Sequence, residues 1–274
     1  MSESGPRAPG QGGYFYSPPL RPSSRPFPPW KVWEALLVVL LFAASQPIAS
    51  LASSALLSMN LPPGLSTTEA EFRLLRYVLP LVIGVSHTVG WLAAYWLLAR
   101  RHRLGVLAAL HLQRLRRFRV GRLFLAGMCL QAVGVVLGAL LSPPHELANP
   151  MLRFVAYGRW AVALLFVMAV IMAPFLEEAL FRGILLPALR RRLPFVPAAL
   201  LVTALFAGLH GVQTGGYLPA LVAISLVGYL LAWLREVSNS LWPSVIFHMG
   251  FNFTALLPVL LLGPHLADTF PGLQ

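Results

Sequence analysis

The sequence has few of the charged side chains that cover the surface of a soluble enzyme. Only 11% of its 274 residues are charged, and only nine are Asp or Glu, whereas a typical soluble domain is about 25% charged. Hydrophobic residues make up 57% of the chain. Because so little polar surface is available to face water, we expect lipid to be the solvent for most of this protein.

Cysteine is nearly absent, since Cys129 is the only one. A single cysteine excludes an intrachain disulfide and any metal site built from several thiolates. Cys129 stands in an apolar run, so we expect it to be a small buried residue.

Acidic residues are outnumbered by 21 basic ones, which gives a net charge of +12. In a soluble protein this surplus would suggest nucleic-acid binding. Here the arginines lie at the ends of apolar runs, and no basic face is interleaved with aromatics, so we expect no nucleic-acid partner. The basic residues are better interpreted as signals of membrane topology.

Long apolar runs dominate what remains of the sequence. They cover about 33–58, 77–99, 122–142, 158–186, 195–213, 217–234 and 241–262. Each is near or above the length that a bilayer requires. Alternation with a period of two is absent, and a spanning segment must satisfy its backbone internally. The sequence therefore predicts an all-α integral membrane protein, a polytopic bundle of about seven transmembrane helices (six to eight).

The basic residues also predict an orientation. If the N-terminal segment is cytoplasmic, 17 basic residues lie inside, with Arg182 counted at a helix end, and four lie outside. This split agrees with the positive-inside rule, so we expect the N-terminus in the cytoplasm and the C-terminus outside. The composition, rich in Leu, Ala and Arg, is typical of bacteria, so the expected location is a bacterial inner (plasma) membrane.

Changes in composition divide the chain into four parts. Residues 1–31, rich in Pro, Gly, Ser and Arg, are predicted to be a disordered cytoplasmic tail. Residues 32–150 hold the N-terminal transmembrane helices and an Arg-rich cytoplasmic connection, in which 104–122 is predicted to be an amphipathic surface helix. Residues 151–264 form a second transmembrane domain, and 265–274 are a short C-terminal tail.

Two adjacent carboxylates lie within the fourth apolar run. Glu178 and Arg182 are four residues apart, so they share a helix face and can pair. Glu177 points about 100° away from Glu178 on a helix. One carboxylate can therefore be structural while the other faces a cavity, although a buried ion pair beside a hydrated Glu would explain both equally well.

Further polar side chains follow on the later runs. His210 ends the fifth run, and His248 and Asn252 share one helix face in the last. Each alone could be a hydrogen-bonded packing residue. Together they should converge with Glu177 inside the bundle. A Glu and a His can activate water, and a second His with an amide can bind an oxyanion. Alternatively, Glu177, His210 and His248 could hold zinc with an open position for water.

The three motifs together resemble those of the CPBP family, which includes CAAX prenyl endopeptidases and the bacteriocin-processing and immunity (Abi) proteins. They are Glu177-Glu178-x-x-x-Arg182, Phe206-x-x-x-His210 and His248-x-x-x-Asn252, in this order on successive apolar helices. The resemblance covers about residues 160–260 and makes 151–264 the catalytic domain.

This resemblance implies intramembrane proteolysis, by either a metal-dependent or a glutamate-based mechanism. It implies that Glu177 and His210 activate water and that Glu178 pairs with Arg182. It also implies that His248 and Asn252 bind the oxyanion. The expected partners are the lipid bilayer and a membrane-associated protein or peptide substrate. The metal-dependent mechanism would require zinc as its cofactor.

Two other functions stay open on the sequence alone. One is a non-catalytic membrane scaffold or immunity factor of the same family, and the other is an ion or proton transporter that uses the buried carboxylates. His87, in the second apolar run, matches no site motif, and we predict that it bonds to a neighbouring helix.

Overall fold

The computed structural model describes residues 28–59, 64, 67–112, 119–141 and 159–269, and within these ranges the chain forms helices and turns but no strand. The described residues of the seven predicted apolar runs are almost entirely helical. In chain order the α-helices are α1 (Val32–Ser58), α2 (Thr67–Tyr95), α3 (Val106–Ala109), α4 (Val120–Leu141), α5 (Arg159–Phe166), α6 (Ala173–Glu178), α7 (Leu186–Arg190), α8 (Phe195–Gln213), α9 (Leu218–Ser238) and α10 (Trp242–Thr269).

Several of these helices are long and apolar enough to cross a bilayer. Among the described residues five segments qualify, namely Val32–Ser58, Pro80–Arg101, Val120–Gly138, Ala163–Arg190 and Leu218–Ser238, and Phe195–Gly211 is a shorter apolar helix. The predicted fold class, a polytopic all-helical membrane bundle, is confirmed. The number of seven crossings stays a prediction.

Two π-helical segments interrupt the helical run that carries the adjacent carboxylates. Val167–Met172 joins α5 to α6, and Ala179–Leu185 joins α6 to α7. A proline stands in the first turn of the α-helix that follows each of them, Pro174 in α6 and Pro187 in α7. Proline cannot donate a backbone hydrogen bond, which favours a wider turn before it. Such π segments are frequent at functional sites.

Residues just before α1 pack against this interrupted run. Trp30 is buried, and its Nε1 donates to the carbonyl oxygen of Ile184 at 2.9 Å. Arg191 donates from Nη1 to the carbonyl oxygens of Pro28, Pro29 and Trp30 at 2.9, 3.3 and 3.1 Å. The segment 28–31, predicted to end the disordered tail, therefore has specific contacts, while 1–27 lie outside the described residues.

The connection between α2 and α4 contacts the same end of the bundle. The surface helix predicted over 104–122 is wrong for the described part, where α3 has only four residues and 120–122 already belong to α4, while 113–118 lie outside the described residues. Leu110 and Leu112 are buried instead. Leu110 packs so closely on Gly183 that a Cβ added there would lie 2.6 Å from its Cδ2.

α4 packs along α10 and leaves much of its remaining surface to lipid. Leu125, Val133 and Val136 on α4 are more than half exposed. Cys129 is exposed on this helix, so the expectation that it is buried is wrong. In a membrane the exposed face of an apolar helix contacts lipid, where a small soft side chain is equally stable.

Candidate active site

Glu178 lies at the centre of a fully buried polar cluster. Arg182 donates from Nη1 to Glu178 Oε1 at 2.9 Å, and both side chains are 0% exposed. The same Oε1 atom lies 3.0 Å from Nδ1 of His248. A carboxylate paired with arginine only accepts, so Nδ1 of His248 carries the hydrogen of this bond. Glu178 therefore orients His248 on α10 as well as pairing with Arg182.

The guanidinium of Arg182 ties three helices together. Its Nη2 donates to the carbonyl oxygen of Gly228 on α9 at 2.8 Å. Its Cζ stacks over the ring of Phe206 on α8 at 4.5 Å from the centroid, a cation–π distance. Arg182 is thus inside the bundle, and its assignment to the cytoplasmic basic residues was wrong.

Glu177 faces away from this cluster and towards both histidines. Its Oε2 atom lies 4.0 Å from Nε2 of His210 and 3.8 Å from Nε2 of His248. This oxygen is buried and accepts no hydrogen bond from the described residues. The side chains of Glu177 and His210 are 14% and 22% exposed, whereas that of His248 is 4% exposed. The site therefore opens on the His210 side.

The tautomer of His210 follows from its own helix. Nδ1 lies 2.8 Å from the carbonyl oxygen of Phe206. Because a carbonyl can only accept, Nδ1 carries the hydrogen, and in the neutral ring the Nε2 lone pair faces Glu177. Glu177 Oε2 and His210 Nε2 are then two acceptor atoms that face each other, and a water molecule that donates two hydrogen bonds suits such a pair.

Asn252 makes a different contact from its neighbours. Its Nδ2 donates to the carbonyl oxygen of Ala169, in the π-helical segment before α6, at 2.8 Å. An amide nitrogen carries two hydrogens, so one N–H is left for another acceptor. The observed bond ties α10 to the helical run of Glu177.

The spacing of these side chains does not suit a bound zinc ion. Zinc lies about 2.0–2.2 Å from its nitrogen and oxygen ligands, which in a tetrahedron brings the ligand atoms within about 3.6 Å of one another. The Glu177 distances to the two histidines are longer, and no three described His, Cys, Asp or Glu side chains are grouped to hold a metal.

Sequence reasoning missed several contacts of this site. The bond from Glu178 to His248, the acceptor carbonyls of Gly228 and Ala169, and the stacking of Arg182 on Phe206 all join residues far apart in the chain.

His87 was expected to bond to a neighbouring helix, but its Nδ1 contacts the carbonyl oxygen of Ile83 in its own helix at 2.8 Å.

Comparison with known proteins adds one match. Residues 159–254 match the model of a family described as type II CAAX prenyl endopeptidase Rce1-like. The resemblance drawn from the three motifs is confirmed over this segment, which contains all six predicted site residues. This family supports protease activity in general terms. No curated protein and no solved structure gives a significant match.

Proposed function

We propose that this chain, whose residues 159–254 match the CAAX prenyl endopeptidase model, is an intramembrane endopeptidase that hydrolyses a peptide bond of a membrane-associated protein or peptide. The observation that supports it best is the convergence of Glu177 Oε2 and two histidine Nε2 atoms in a partly open site.

Water activation is assigned to Glu177 and His210. A water between them donates one hydrogen bond to Glu177 Oε2 and the other to His210 Nε2, which leaves an oxygen lone pair for attack on the substrate carbonyl carbon. As the new C–O bond forms, the water proton passes to the Glu177 carboxylate. General base catalysis of this kind typically contributes about 10²–10⁴-fold to the rate.

Oxyanion stabilisation is assigned to His248 with Asn252. To donate from Nε2, His248 must be protonated, because its Nδ1 hydrogen is already directed to Glu178. The Glu178 carboxylate lies 3.0 Å from Nδ1 of this ring and provides its counter-charge. The second N–H of Asn252 provides another donor. Donors fixed in a site of low dielectric stabilise developing negative charge more strongly than water does.

Collapse of the tetrahedral intermediate completes the reaction. The C–N bond breaks, the carbonyl reforms, and the proton held by Glu177 passes to the leaving amine. The products are a carboxylic acid and an amine, and the acid then passes the second water proton to the amine, which gives a carboxylate and an ammonium group. Because bacteria generally lack prenylated CAAX proteins, and the composition is typical of bacteria, the expected substrate is a membrane-associated peptide other than a prenylated tail.

The test compares native peptide termini in cells that express wild type, Glu177→Gln or Glu236→Gln at equal membrane abundance. Glutamine keeps the shape of the glutamate but cannot take the water proton. Glu236 is a matched control, because its carboxylate is similarly buried (18% exposed) but pairs with Arg190 instead of the histidines. We expect termini that are present with wild type and Glu236→Gln and lost with Glu177→Gln.

An unchanged set of termini with Glu177→Gln would refute the proteolytic function and favour a non-catalytic scaffold. A second experiment measures cleavage by purified protein in liposomes that have been treated with a zinc chelator. The substrate is a peptide identified from those termini. Cleavage should persist. Loss of cleavage that added zinc restores would replace the glutamate mechanism with a metal-dependent one.

A further inference from the structure

α4 and α10 touch backbone to backbone at two glycines. A Cβ added to Gly127 would lie 2.0 Å from the carbonyl oxygen of Phe247, and one added to Gly250 would lie 2.0 Å from that of Phe124. The contact is reciprocal, because each glycine meets the carbonyl of the phenylalanine three residues before the other glycine. Small residues allow such close approach of membrane helices, where Cα–H groups meet carbonyl oxygens.

This contact involves the part of α10 that carries the site. Gly250 lies between His248 and Asn252. Since His248 contacts both glutamates and Asn252 bonds to Ala169, a shift of α10 at Gly250 would change all of these distances together.

We infer that Gly127, on a helix outside the segment that matches the family model, positions His248 and Asn252 for catalysis. The inference rests on the proposed hydrolysis. A backbone contact has no side chain that can rotate away, so α4 fixes where α10 stands. Gly127 touches no reacting atom, and it acts only through α10.

A methyl group at position 127 would force the two helices apart. Ordinary van der Waals contact begins at about 3.4 Å, against the 2.0 Å available to a Cβ. The helices must therefore separate by more than about 1 Å, and a misplacement of about 1 Å can cost 10²-fold in rate. The clash is with a backbone carbonyl, so trimming the Phe247 side chain should not relieve it.

The same helix provides matched controls. A Cβ on Gly134 would meet the Cβ of Ala223 at 3.6 Å, which is ordinary contact, and one on Gly121 would meet nothing within 4 Å. Gly134→Ala and Gly121→Ala therefore make the same chemical change in α4 without moving α10.

The first measurement uses the Glu177-dependent termini, which are the peptide termini present with wild type and lost with Glu177→Gln. Their yield is compared in cells that express Gly127→Ala or either control at equal membrane abundance. We expect Gly127→Ala to reduce the yield about 100-fold and the controls to stay near wild type. With a substrate identified from those termini, purified Gly127→Ala in liposomes should show a lower kcat and an unchanged KM.

The second measurement needs no catalysis. In a Cys129→Ala background, cysteines replace Ala169 and Asn252, whose groups are hydrogen-bonded in the wild type. A short thiol cross-linker should join them, and Gly127→Ala should greatly reduce the cross-linked fraction while Gly134→Ala leaves it unchanged.

The combined outcomes separate this inference from the proposed function. Equal cross-linking and equal termini with Gly127→Ala would overturn the positioning role. Equal cross-linking with lost termini would also overturn it, because α10 would not have moved. If even wild type yields no termini that depend on Glu177, the proposed hydrolysis is overturned. Reduced cross-linking with Gly127→Ala would then show that the contact positions α10 but has no role in catalysis.

Discussion

Glu177 and Glu178 are neighbours in sequence, but their carboxylates have opposite surroundings. Glu178 is enclosed with Arg182 and His248, whereas Glu177 faces a partly open site and receives no hydrogen bond at Oε2 from the described residues. A helix turns about 100° per residue, so adjacent side chains reach different neighbours. One residue can therefore hold the structure while the next performs chemistry.

We predict that Glu178→Gln destabilises the fold much more than Glu177→Gln does. It removes the counter-charge of a fully buried arginine, and breaking a buried pair in this way typically costs about 3–5 kcal/mol. Thermal unfolding of purified protein in detergent measures the difference. Glu236→Gln is the control, because its ion pair with Arg190 is partly exposed, and such pairs contribute about 0–1 kcal/mol.

Equal melting temperatures for Glu178→Gln and Glu177→Gln would contradict this assignment. They would mean that Arg182 finds other partners at no cost. The carbonyl oxygen of Gly228 would then have to be a sufficient acceptor by itself.

The sequence predicts contacts within one helix better than contacts between helices. The pairing of Glu178 with Arg182 follows from a spacing of four residues, since both stand on one helical face. The bond from Glu178 to His248 joins residues 70 positions apart. It depends on where α10 packs, which no local pattern encodes.

At the scale of elements, the π-helical segment Ala179–Leu185 carries Arg182 at its centre and Ile184 near its end. Hydrophobic periodicity predicts a helix over this region but not the wider turns within it. The indole of Trp30 bonds to the carbonyl of Ile184, so a residue before α1 supports this segment.

We predict that Trp30→Phe lowers stability more than Trp33→Phe does. The first change leaves the buried Ile184 carbonyl without its donor, and an unsatisfied buried group costs about 1–3 kcal/mol. Trp33 is 56% exposed, so its replacement should have little effect. Melting temperatures in detergent compare the two, and an equal decrease would show that the Ile184 bond adds nothing beyond aromatic packing.

At the scale of the whole molecule, basic residues gather at one end of the bundle. Arg101 lies 3.4 Å from Glu34 at the start of α1, and Arg190 pairs with Glu236 near the end of α9. Arg191 bonds to the chain just before α1. From the positive-inside rule we predict that this end faces the cytoplasm.

We predict that Arg192→Cys and Met59→Cys, each in a Cys129→Ala background, label oppositely with a membrane-impermeant maleimide. Both positions are exposed, and each follows the C-terminal end of a spanning segment. Arg192 lies at the end of the bundle where α1 begins, and Met59 lies where α1 ends. Met59→Cys should react in intact cells, whereas Arg192→Cys should react only after permeabilisation. The reverse pattern would invert the topology.

The fold class could be predicted because lipid imposes a simple constraint, namely long apolar runs with every backbone bond satisfied internally. Burial of single residues was harder to predict, as Cys129 shows. Apolar residues in a membrane protein are stable both against lipid and against other helices, so composition alone does not distinguish the two surfaces.

The bond between Trp30 and Ile184 also has a consequence for the order of synthesis. It joins residues 154 positions apart, and chains elongate at about 5–20 residues per second. The ribosome therefore takes about 8–30 s to make the acceptor after the donor. During that interval the partners of the Trp30 indole N–H and of the Pro28 and Pro29 carbonyls have not yet been synthesised. The start of α1 can therefore reach its final contacts only after the helices up to α7 have been made.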